Sequence, residues 1–529
     1  MRGQPSRHRK NIRRAIPVRR WPRRILVSIN VFTLFCLVTV GSVYGYAQLR
    51  LGQIRLINGL PFDRAPASSS GSQSPLNILL VGDNSRVGLS PSEAAKFGTA
   101  DDAGGAHSDV TMILHLDPNT GSASLLSIPR DMFVPLPPTN ISGDVGKIDS
   151  ALNGSNYQYT DGAAQLITTI QNDLGIPITN YVEINFDGFQ QTVNALGGIN
   201  MYFPTLLFDA ESTLRTYQTG CLHLSGATAL ALVRARHLQY YTTGDNVSDP
   251  HSWPQEQESD LARIQRDHTF LNVLAASVTS KGVTTSPAKL NDVLAALINQ
   301  VTIDPGLKND LLPLVKRFRS INVSAIHEMT LPISVVPDVQ YHFLGGAYGQ
   351  VDFPVEPVDS QVIAQWQGSS IVKASPSSFT VQVQNISNVA HEAANTVASL
   401  NALGFDATDA GEGTVPADAV ETMVHYNPGA TGLAEAETVV QSLEGSVMMQ
   451  SDPKVPAGTI DLDTGTAVQV GSTTASPTTS PTTPLGSVAA TTTTTMVPTP
   501  GDQPVSSSTD QLTPWDPVAC KAGQPVVNG

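Results

Sequence analysis

Charged side chains collect at the ends of predicted strands in the first half of this 529-residue sequence. Guanidinium groups bind phosphate oxygens through paired hydrogen bonds, and neighbouring carboxylates commonly hold a Mg²⁺ ion that contacts the same oxygens. Arginines beside an acidic metal site are typical of phosphoryl transfer. The residues in these positions are Asp83, Asn84, Arg86, Asp109, Arg130, Asp131, Lys147, Arg234, Arg236 and Arg263.

One arginine–aspartate pair follows an unusually apolar strand. The run 122–128 reaches Pro129 and is followed at once by Arg130 and Asp131. A strand this apolar is expected to be buried, so the pair lies where the core ends. Proline fixes φ and shapes the exit from the sheet. The pair is therefore a candidate for substrate contact, and the alternative is an ion pair that only caps the sheet.

A second group of charges lies on the predicted helix 260–280. Its apolar residues form one stripe at 100° per residue. Asp260, Arg263 and Asp267 lie within about 60° of one another along one edge of that stripe. Charges beside an apolar stripe can face a groove. The alternative is a salt-bridge ladder, since Asp260 and Arg263 are three residues apart.

Alternating strands and helices must hold these residues in place. The alternation predicts an α/β domain over residues 76–350, in which helices lie on both sides of a mixed central sheet. Its strands are predicted at 76–82, 110–116, 122–128 and 181–186. Its helices are predicted at 162–175, 187–198, 225–237, 260–280, 286–301 and 309–320.

A second, smaller α/β domain is predicted at residues 377–470. Its periodicity indicates the order strand, helix, strand, helix, strand. From residue 471 onward the composition shifts to Thr, Pro and Ser. Such a segment has too few apolar residues to bury a core, so residues 471–529 are predicted to be a disordered tail.

The N-terminal segment predicts attachment to a membrane. Residues 1–24 are rich in Arg and Lys and contain no acidic residue, and residues 25–47 contain no charge. A span of this length crosses a hydrocarbon core of ~30 Å. The positive-inside rule places the basic head in the cytoplasm and the bulk of this single-pass chain outside, after a flexible stalk at 48–75. The alternative is a signal peptide cleaved near Ala47, although usual apolar regions of signal peptides are shorter.

Charge and cysteine content limit the partners and the compartment. The formal net charge is −14 at pH 7 although the N-terminus is basic, so nucleic acid is not expected as a partner of the main chain. Cys36 lies in the predicted span. Cys221 and Cys520 would face an oxidising compartment, where a disulfide is permitted. The sequence does not show whether these two residues meet.

The order of the motifs resembles that of the LytR-CpsA-Psr family over roughly residues 76–280. Residues 377–470 resemble the LytR C-terminal domain of actinobacterial members. No P-loop, HExxH, GxSxG or CxxC motif competes with this interpretation. The matching motifs are LLVGDNSR (79–86), SDVTMILHLDP (108–118), LLSIPRDMFV (125–134), KID (147–149), ALVRARH (231–237) and DLARIQR (260–266).

The resemblance implies a Mg²⁺-assisted phosphotransferase. Such an enzyme moves a glycopolymer from a polyprenyl-pyrophosphate carrier onto peptidoglycan during cell-wall assembly, and holds the lipid tail in a hydrophobic tunnel between the sheet and the helices. It implies catalytic roles for Arg130, Asp109, Asp131 and Arg263, and a metal site at Asp109, Asn84 and Asp83. It implies pyrophosphate binding by Arg86, Arg130, Lys147, Arg234, Arg236 and Arg263.

Three positions depart from the family pattern. Asn84 replaces a second metal carboxylate, His107 replaces an arginine, and Asp267 replaces a glutamine. An amide oxygen brings no charge, so weaker metal binding is expected. The departures leave open a non-catalytic protein that binds polyprenyl phosphate or the cell wall. A membrane-anchored regulator of expression is a further alternative, although no DNA-binding helix-turn-helix is recognisable.

Overall fold

The computed structural model describes residues 53–63, 74–86, 91–94, 107–137, 145–153, 162–256, 259–280, 300–318, 326–335, 341–343, 346–368, 373–387, 389–413, 421–466, 468–471 and 513–528, together with 292, 293, 295 and 298. Within these ranges no helix combines the length and the apolar character that crossing a bilayer requires. The predicted head 1–24 and span 25–47 lie outside the described residues.

Strands and helices alternate through the first domain. Its strands are β1 (Arg55–Leu56), β2 (Leu76–Asp83), β3 (Ser108–Asp117), β4 (Ser122–Ile128), β5 (Phe133–Pro135), β6 (Val145–Lys147), β7 (Asn180–Ile184), β8 (Ile199–Phe203), β9 (Leu207–Asp209), β10 (Leu214–Arg215), β11 (Gly220–Leu224), β12 (Gln239–Tyr240), β13 (Val301–Ile303), β14 (His327–Thr330), β15 (Ile333–Val335), β16 (Tyr341–Phe343), β17 (Gly346–Gly349) and β18 (Asp352–Pro354). Its helices are α1 (Pro91–Ala94), α2 (Gly162–Asp173), α3 (Phe186–Ala195), α4 (Gly226–Val233), α5 (Ser259–Ser280), α6 (Pro305–Phe318) and α7 (Val358–Gln367).

The central sheet of this domain is mixed and covered on both faces. Among the described residues it has seven strands in the order β1-β13-β7-β2-β3-β4-β14. Alternate side chains of a strand point to opposite faces. On one face Leu79 and Ile113 belong to a buried cluster with Ile167 of α2. On the other face the hydroxyl of Ser127 lies 2.6 Å from Nε2 of His268 on α5. The predicted fold class, a mixed sheet sandwiched by helices, is confirmed.

The C-terminal domain is a second α/β unit with its own core. Its elements are β19 (Thr380–Asn385), α8 (Glu392–Ala402), β20 (Asp406–Glu412), β21 (Thr422–Tyr426), α9 (Ala430–Val440), β22 (Leu443–Glu444), β23 (Val447–Ser451), β24 (Thr459–Thr464) and β25 (Gln469–Val470). The larger sheet has the order β20-β19-β24-β21-β23. The predicted elements are present, and the structure adds four strands, β20, β22, β24 and β25. β20 is mostly exposed, so it gave no apolar run to detect.

The end of the chain folds back onto the first domain. β26 (Val518–Ala519) pairs with β8, and β27 (Val526–Asn528) pairs with β11. Cys221 of β11 forms a disulfide with Cys520. The prediction of a disordered tail over 471–529 is therefore wrong for residues 513–528. Strands of two and three residues are too short to produce a periodic signal.

Part of the predicted stalk also belongs to the first domain. β1 pairs in parallel with β13, and Ile57, Leu60 and Phe62 pack against the main core. Flexibility over 48–75 is therefore a wrong prediction for residues 53–63. Burial of these apolar side chains stabilises the folded segment, whereas a flexible spacer would leave them in contact with water.

Several helix predictions change at their ends. The helix predicted at 225–237 ends at Val233, so Arg234 and Arg236 follow it, and the helix predicted at 187–198 ends at Ala195. The helix predicted at 309–320 begins earlier, at Pro305, and ends at Phe318. Proline is favourable at the first position of a helix because its missing N–H needs no partner there. Most of the helix predicted at 286–301 lies outside the described residues, but Val301 begins strand β13. The β-branched sequence Val-Thr-Ile at 301–303 fits a strand.

Candidate functional site

The register of three strands brings the predicted residues to one edge of the sheet. Asp83 ends β2 and pairs with Ser108 at the start of β3. β4 runs antiparallel to β3 and ends at Ile128. The end of β2, the start of β3 and the segment after β4 therefore meet. This geometry places Asp109 on β3 beside Arg130.

Arg130 and Asp131 have different partners. Nη1 of Arg130 donates to Oδ1 of Asp109 at 2.5 Å, and its Nε lies 3.4 Å from Oδ2 of Asp131. Asp131 also accepts hydrogen bonds from Nζ of Lys147 at 2.9 Å and from Nη2 of Arg236 at 2.8 Å. Three cations thus surround one carboxylate. We call Arg130, Asp131, Lys147 and Arg236 the cation cluster.

The cation cluster is partly open to solvent. The side chains of Arg130, Lys147 and Arg236 are 19%, 26% and 29% exposed, and that of Asp131 is 11% exposed. Burial acts to raise the pKa of Asp131, but the three cations outweigh it and lower that pKa to about 2. Asp131 is therefore ionised at neutral pH. Two carboxylates, Asp131 and Asp109, contact the three cations, so one positive charge remains that a further anion could balance.

Further arginines lie in the same electrostatic field. The guanidinium of Arg234 lies 4.7 Å from the ring centre of Phe186. Burial lowers the pKa of Arg234, the charge of Asp109 acts to raise it, and the charges of Arg86 and Arg130 act to lower it. The structure therefore brings Arg86 and Arg234 within electrostatic reach of the cation cluster, as the resemblance implies.

Two carboxyl groups meet beside the cation cluster. Burial raises the pKa of Asp83 to about 8, and a hydrogen bond and the charge of Glu183, with the charge of Asp109, add to the effect. Glu183 lies on β7 opposite Val81 of β2. A nearby divalent cation would relieve the repulsion between these carboxylates.

The carboxylates at this edge fit a partly hydrated Mg²⁺ ion better than a metal ion that is enclosed entirely by protein ligands. Across the described ranges, no group of three or more His, Cys, Asp and Glu side chains forms a metal-binding cluster. Mg²⁺ is usually held by one or two carboxylates and completes its shell with water and phosphate oxygens. Asp83 and Asp109 supply that number of carboxylates at this edge.

Asn84 and His107 form a local pair. Oδ1 of Asn84 accepts the backbone N–H of His107 at 3.0 Å, and the Asn84 N–H donates to the His107 carbonyl at 3.1 Å. Nδ1 of His107 lies 3.4 Å from Oδ2 of Asp149. The hydrogen bond to Asp149 raises the pKa of His107. The amide oxygen of Asn84 is thus already used to hold this segment, and a role as a metal ligand stays a prediction.

Helix α5 closes a cavity beside Asp109. Arg263 and Asp267 both line it, so these two charges face a groove, as their position beside the apolar stripe indicated. The side chain of Asp260 lies outside the described residues. The cavity has a volume of about 10 Å³, and the lining residues are Asp109, Val110, Thr111, Met112, Ser127, Ile128, Arg263, Ile264 and Asp267. A volume of this size holds about one water molecule, so no isoprene unit fits in the cavity as it stands. The full tunnel stays a prediction.

Arg266 lies next to this cavity but binds elsewhere. Its side chain is 1% exposed. Nη1 and Nη2 donate to the two carboxylate oxygens of Glu256 at 2.7 and 2.9 Å, and Nη2 donates to the Ala235 carbonyl at 2.6 Å. Nη1 also lies 3.3 Å from Oδ1 of Asp516 in the folded C-terminal segment. We call Arg266, Glu256 and Asp516 the buried ion triad.

Several residues of the site were missed from the sequence. Asp209 is one of them, because its Oδ2 accepts the backbone N–H groups of Arg236 and His237 at 2.9 and 2.8 Å and so fixes the arginine segment. Glu183 could have been found, since it falls inside a predicted strand next to the one that ends at Asp83. Asp149 falls in the recognised motif KID (147–149) but was not assigned a role, and Asp209, Glu256 and Asp516 gave no local signal. The missed residues are Asp149, Glu183, Asp209, Glu256 and Asp516.

The fold and the cation cluster define an α/β protein with a positively charged site at one edge of its central sheet. Residues 61–351 match the family model described as the LytR_cpsA_psr family. That match covers more than half of the chain, and the protein belongs to this family. Residues 378–473 match a model described as LytR cell envelope-related transcriptional attenuator.

Two named relatives come from Corynebacterium glutamicum and Bacillus subtilis. The chain is 30% identical to the probable cell wall biosynthesis protein LcpB of Corynebacterium glutamicum over 286 residues, 54% of this chain and 60% of LcpB. It is 32% identical to the polyisoprenyl-teichoic acid–peptidoglycan teichoic acid transferase TagV of Bacillus subtilis over 179 residues, 33% of this chain and 39% of TagV. The matched segments thus span less than two thirds of either relative.

A solved structure with a similar chain path comes from Actinomyces oris. This LytR-Csp2A-Psr enzyme has 18% sequence identity and a TM-score of 0.43, over 60% of this chain and 97% of that chain.

Proposed function

We propose that this protein is a Mg²⁺-dependent phosphotransferase that moves a glycopolymer from a polyprenyl-pyrophosphate carrier onto peptidoglycan. The observation that carries the proposal is the cation cluster, in which Arg130, Lys147 and Arg236 share the single carboxylate of Asp131. Family membership supports a role in the cell wall. The name of TagV, a teichoic acid transferase, supports polymer transfer.

In this proposal the chain's charged and apolar groups act on different parts of one substrate. Arg130, Lys147 and Arg236 bind the diphosphate oxygens, and Arg86, Arg234 and Arg263 add positive charge around them. Guanidinium groups match phosphate geometry through paired hydrogen bonds. The lipid tail would enter between the central sheet and α5, where the small cavity lined by Met112 and Ile264 would have to widen to receive the first isoprene units.

Asp83 and Asp109 would hold Mg²⁺, with Asn84 as a further candidate ligand. When bound, the ion supplies charge neutralisation at the phosphate oxygens. Asp109 now accepts a hydrogen bond from Arg130. A turn of the Asp109 side chain away from Arg130 would release the guanidinium for a phosphate oxygen. Asp131 keeps Arg130 oriented during the exchange because it stays ionised.

The proposed location is the outer face of the cell membrane, with residues 25–47 as a single-pass anchor. A lipid-linked donor is confined to that membrane, so an anchored enzyme meets it in two dimensions. A reporter fused after Tyr46 should be active only outside the cytoplasm. A mature protein that begins at Gln48 would replace the anchor with a cleaved signal peptide.

The decisive experiment is transfer of a labelled polymer from a polyprenyl-pyrophosphate donor to peptidoglycan by the full chain. Label should appear in peptidoglycan with Mg²⁺ and should not appear with EDTA. Asp109→Asn should reduce transfer and raise the Mg²⁺ concentration required. Asp310→Asn, which changes an exposed aspartate on α6, is the matched control and should behave as the wild type.

A non-catalytic role in binding polyprenyl phosphate or the wall is the second candidate. It is favoured by Asn84, whose oxygen is occupied by the His107 N–H, and by Asp267, whose carboxylate lines the cavity. Tight binding of the lipid without transfer at any Mg²⁺ concentration would select this alternative. A regulatory role in expression would require a change in transcript levels that persists when Arg130 is replaced.

A further inference from the structure

The C-terminal segment 513–528 contacts the first domain in four independent ways. β26 and β27 extend the sheet formed by β8 and β11, and Cys520 is bonded to Cys221. The ring of Trp515 stacks on Tyr240 with centroids 3.9 Å apart and planes 3° from parallel. Asp516 reaches Arg266. A segment held in this way has a defined position, although it follows a long Thr/Pro-rich stretch.

Asp516 is held in place before it meets Arg266. Its Oδ2 accepts the backbone N–H of Thr513 at 2.9 Å and the Thr513 hydroxyl at 2.6 Å. Its Oδ1 faces Nη1 of Arg266 at 3.3 Å, and the Asp516 side chain is fully buried. The carboxylate therefore presents one oxygen to its own turn and one to the guanidinium.

Arg266 joins the elements that carry the arginines of the proposed site. It lies on α5 three residues after Arg263, which lines the cavity. Its guanidinium donates to the carbonyl of Ala235, the residue between Arg234 and Arg236. A shift of this guanidinium would therefore move α5 and the 234–236 segment relative to each other. Glu256, which precedes α5, holds the guanidinium from a third side.

We propose that Asp516 is a positioning residue, through which the C-terminal segment sets the relative placement of Arg263 and the Arg234–Arg236 segment. This proposal rests on the proposed function only where its test measures polymer transfer. Burial acts to lower the pKa of Arg266, and the charges of Glu256 and Asp516 counteract this effect. Without Asp516, the guanidinium keeps Glu256 and the Ala235 carbonyl, and Nη1 loses one of its two carboxylate partners.

The first test replaces Asp516 in the full-length protein. Asp516→Asn should lower kcat for polymer transfer by about 10-fold, because a small misplacement of catalytic groups is costly, and should change KM less than about 2-fold, because the cation cluster is intact. Asp516→Glu should recover part of kcat, because it restores the charge. Lys521→Gln changes an exposed side chain of the same segment and should match the wild type.

Hydrogen exchange separates this proposal from the proposed function. In Asp516→Asn, exchange over 259–280 should be at least about 10-fold faster than in the wild type or in Lys521→Gln, because a buried contact of that helix is lost. Unchanged exchange over 259–280 overturns the positioning role whatever the activity. Faster exchange in a protein whose wild type shows no transfer supports the coupling and contradicts the proposed function instead.

A second test removes the segment itself. A protease site placed in the Thr-rich stretch 491–495 of the full chain allows a cut after which residues 513–529 stay attached through Cys221–Cys520. Cutting alone should leave kcat unchanged, and cutting followed by reduction should lower it. A synthetic peptide of residues 513–529 should restore activity, and the same peptide with Asp516→Asn should not. Wild-type kcat after the peptide has left, as checked by mass spectrometry, overturns the proposal.

Discussion

Two clusters of arginine and carboxylate side chains lie in the first domain and the C-terminal segment that folds onto it. They differ in their charge balance and in their exposure to solvent. In the cation cluster three cations share Asp131, and the cationic side chains are 19–29% exposed. In the buried ion triad Arg266 shares two carboxylates, and all three side chains are at most 2% exposed. The cation cluster has a net positive charge and is accessible to solvent. The buried ion triad has neither property.

The difference separates the proposed phosphate site from a structural cluster. Arg266 is 1% exposed, and both of its Nη groups donate to buried protein oxygens, so it is not accessible to a phosphate. An arginine at a solvent-accessible edge with a shared carboxylate can exchange partners. The motif "DLARIQR" contains both kinds, Arg263 beside the cavity and Arg266 in the triad. Residue type alone therefore does not define a phosphate site in this family member.

The largest expected effect is on the buried ion triad. Arg266→Met should reduce the free energy of unfolding by about 3–5 kcal/mol, because it leaves two buried carboxylates without their cation. Chemical denaturation measures this change. Adding Glu256→Gln and Asp516→Asn to Arg266→Met should recover part of the loss. Arg215→Met changes an exposed arginine as control, and an equal loss there would abolish the contrast between the clusters.

The next largest effect should appear in binding. Arg130→Ala should weaken binding of a polyprenyl pyrophosphate by about 1.5–3 kcal/mol, because a charge-assisted contact is lost, and transfer should fall at least as steeply. Arg130→Lys should rescue only part, since an ammonium cannot reproduce the paired hydrogen bonds of the guanidinium. Calorimetric titration and a melting curve on the same variant are required. A lower melting temperature with unchanged affinity would make Arg130 a structural cap like Arg266.

A third prediction concerns two buried carboxyl groups, those of Asp173 and Glu356, and the pH dependence of stability. Burial raises the pKa of Asp173 to about 8 and that of Glu356 to about 7. Oδ1 of Asp173 accepts the N–H of Met449 in the C-terminal domain at 2.9 Å. The folded state thus keeps protons that the unfolded chain releases above its ordinary carboxyl pKa. Stability should fall as the pH rises from about 4 to about 8.

Asp173→Asn should flatten this pH dependence. The change removes one titrating group and keeps an oxygen that can accept the Met449 N–H. Between pH 5 and pH 8 the loss of unfolding free energy should be smaller than in the wild type by about 1–2 kcal/mol. Urea denaturation at several pH values measures it. A wild-type stability that rises across this window would show that these carboxyl groups are ionised in the fold.

The smallest effect on affinity is expected when Lys147 is replaced. Lys147→Gln removes one of the three partners of Asp131, and that lysine is 26% exposed. Affinity for the pyrophosphate should fall by about 3–10-fold, in line with the loss of one modest hydrogen bond, and the loss should shrink at high salt. Lys454→Gln in the C-terminal domain is the control. A loss as large as that of Arg130→Ala would mean that the cluster acts through total charge rather than guanidinium geometry.

The sequence by itself determined the frame of the site. Apolar runs fixed β2, β3 and β4, and the charged residues at their ends were recognisable as Asp83, Asp109 and Arg130. These signals are local, because strand periodicity and chain reversal act within a few residues. Antiparallel pairing then brings such ends together without further information.

Only the tertiary structure decided which arginine contacts which carboxylate. Arg266 and Arg263 look alike in the sequence, yet one is buried against Glu256 and the other lines the cavity. The pairing of Cys221 with Cys520 spans 299 residues, and the return of Asp516 to Arg266 spans 250. Contacts over such separations leave no periodicity in the chain, because they depend on how completed elements pack.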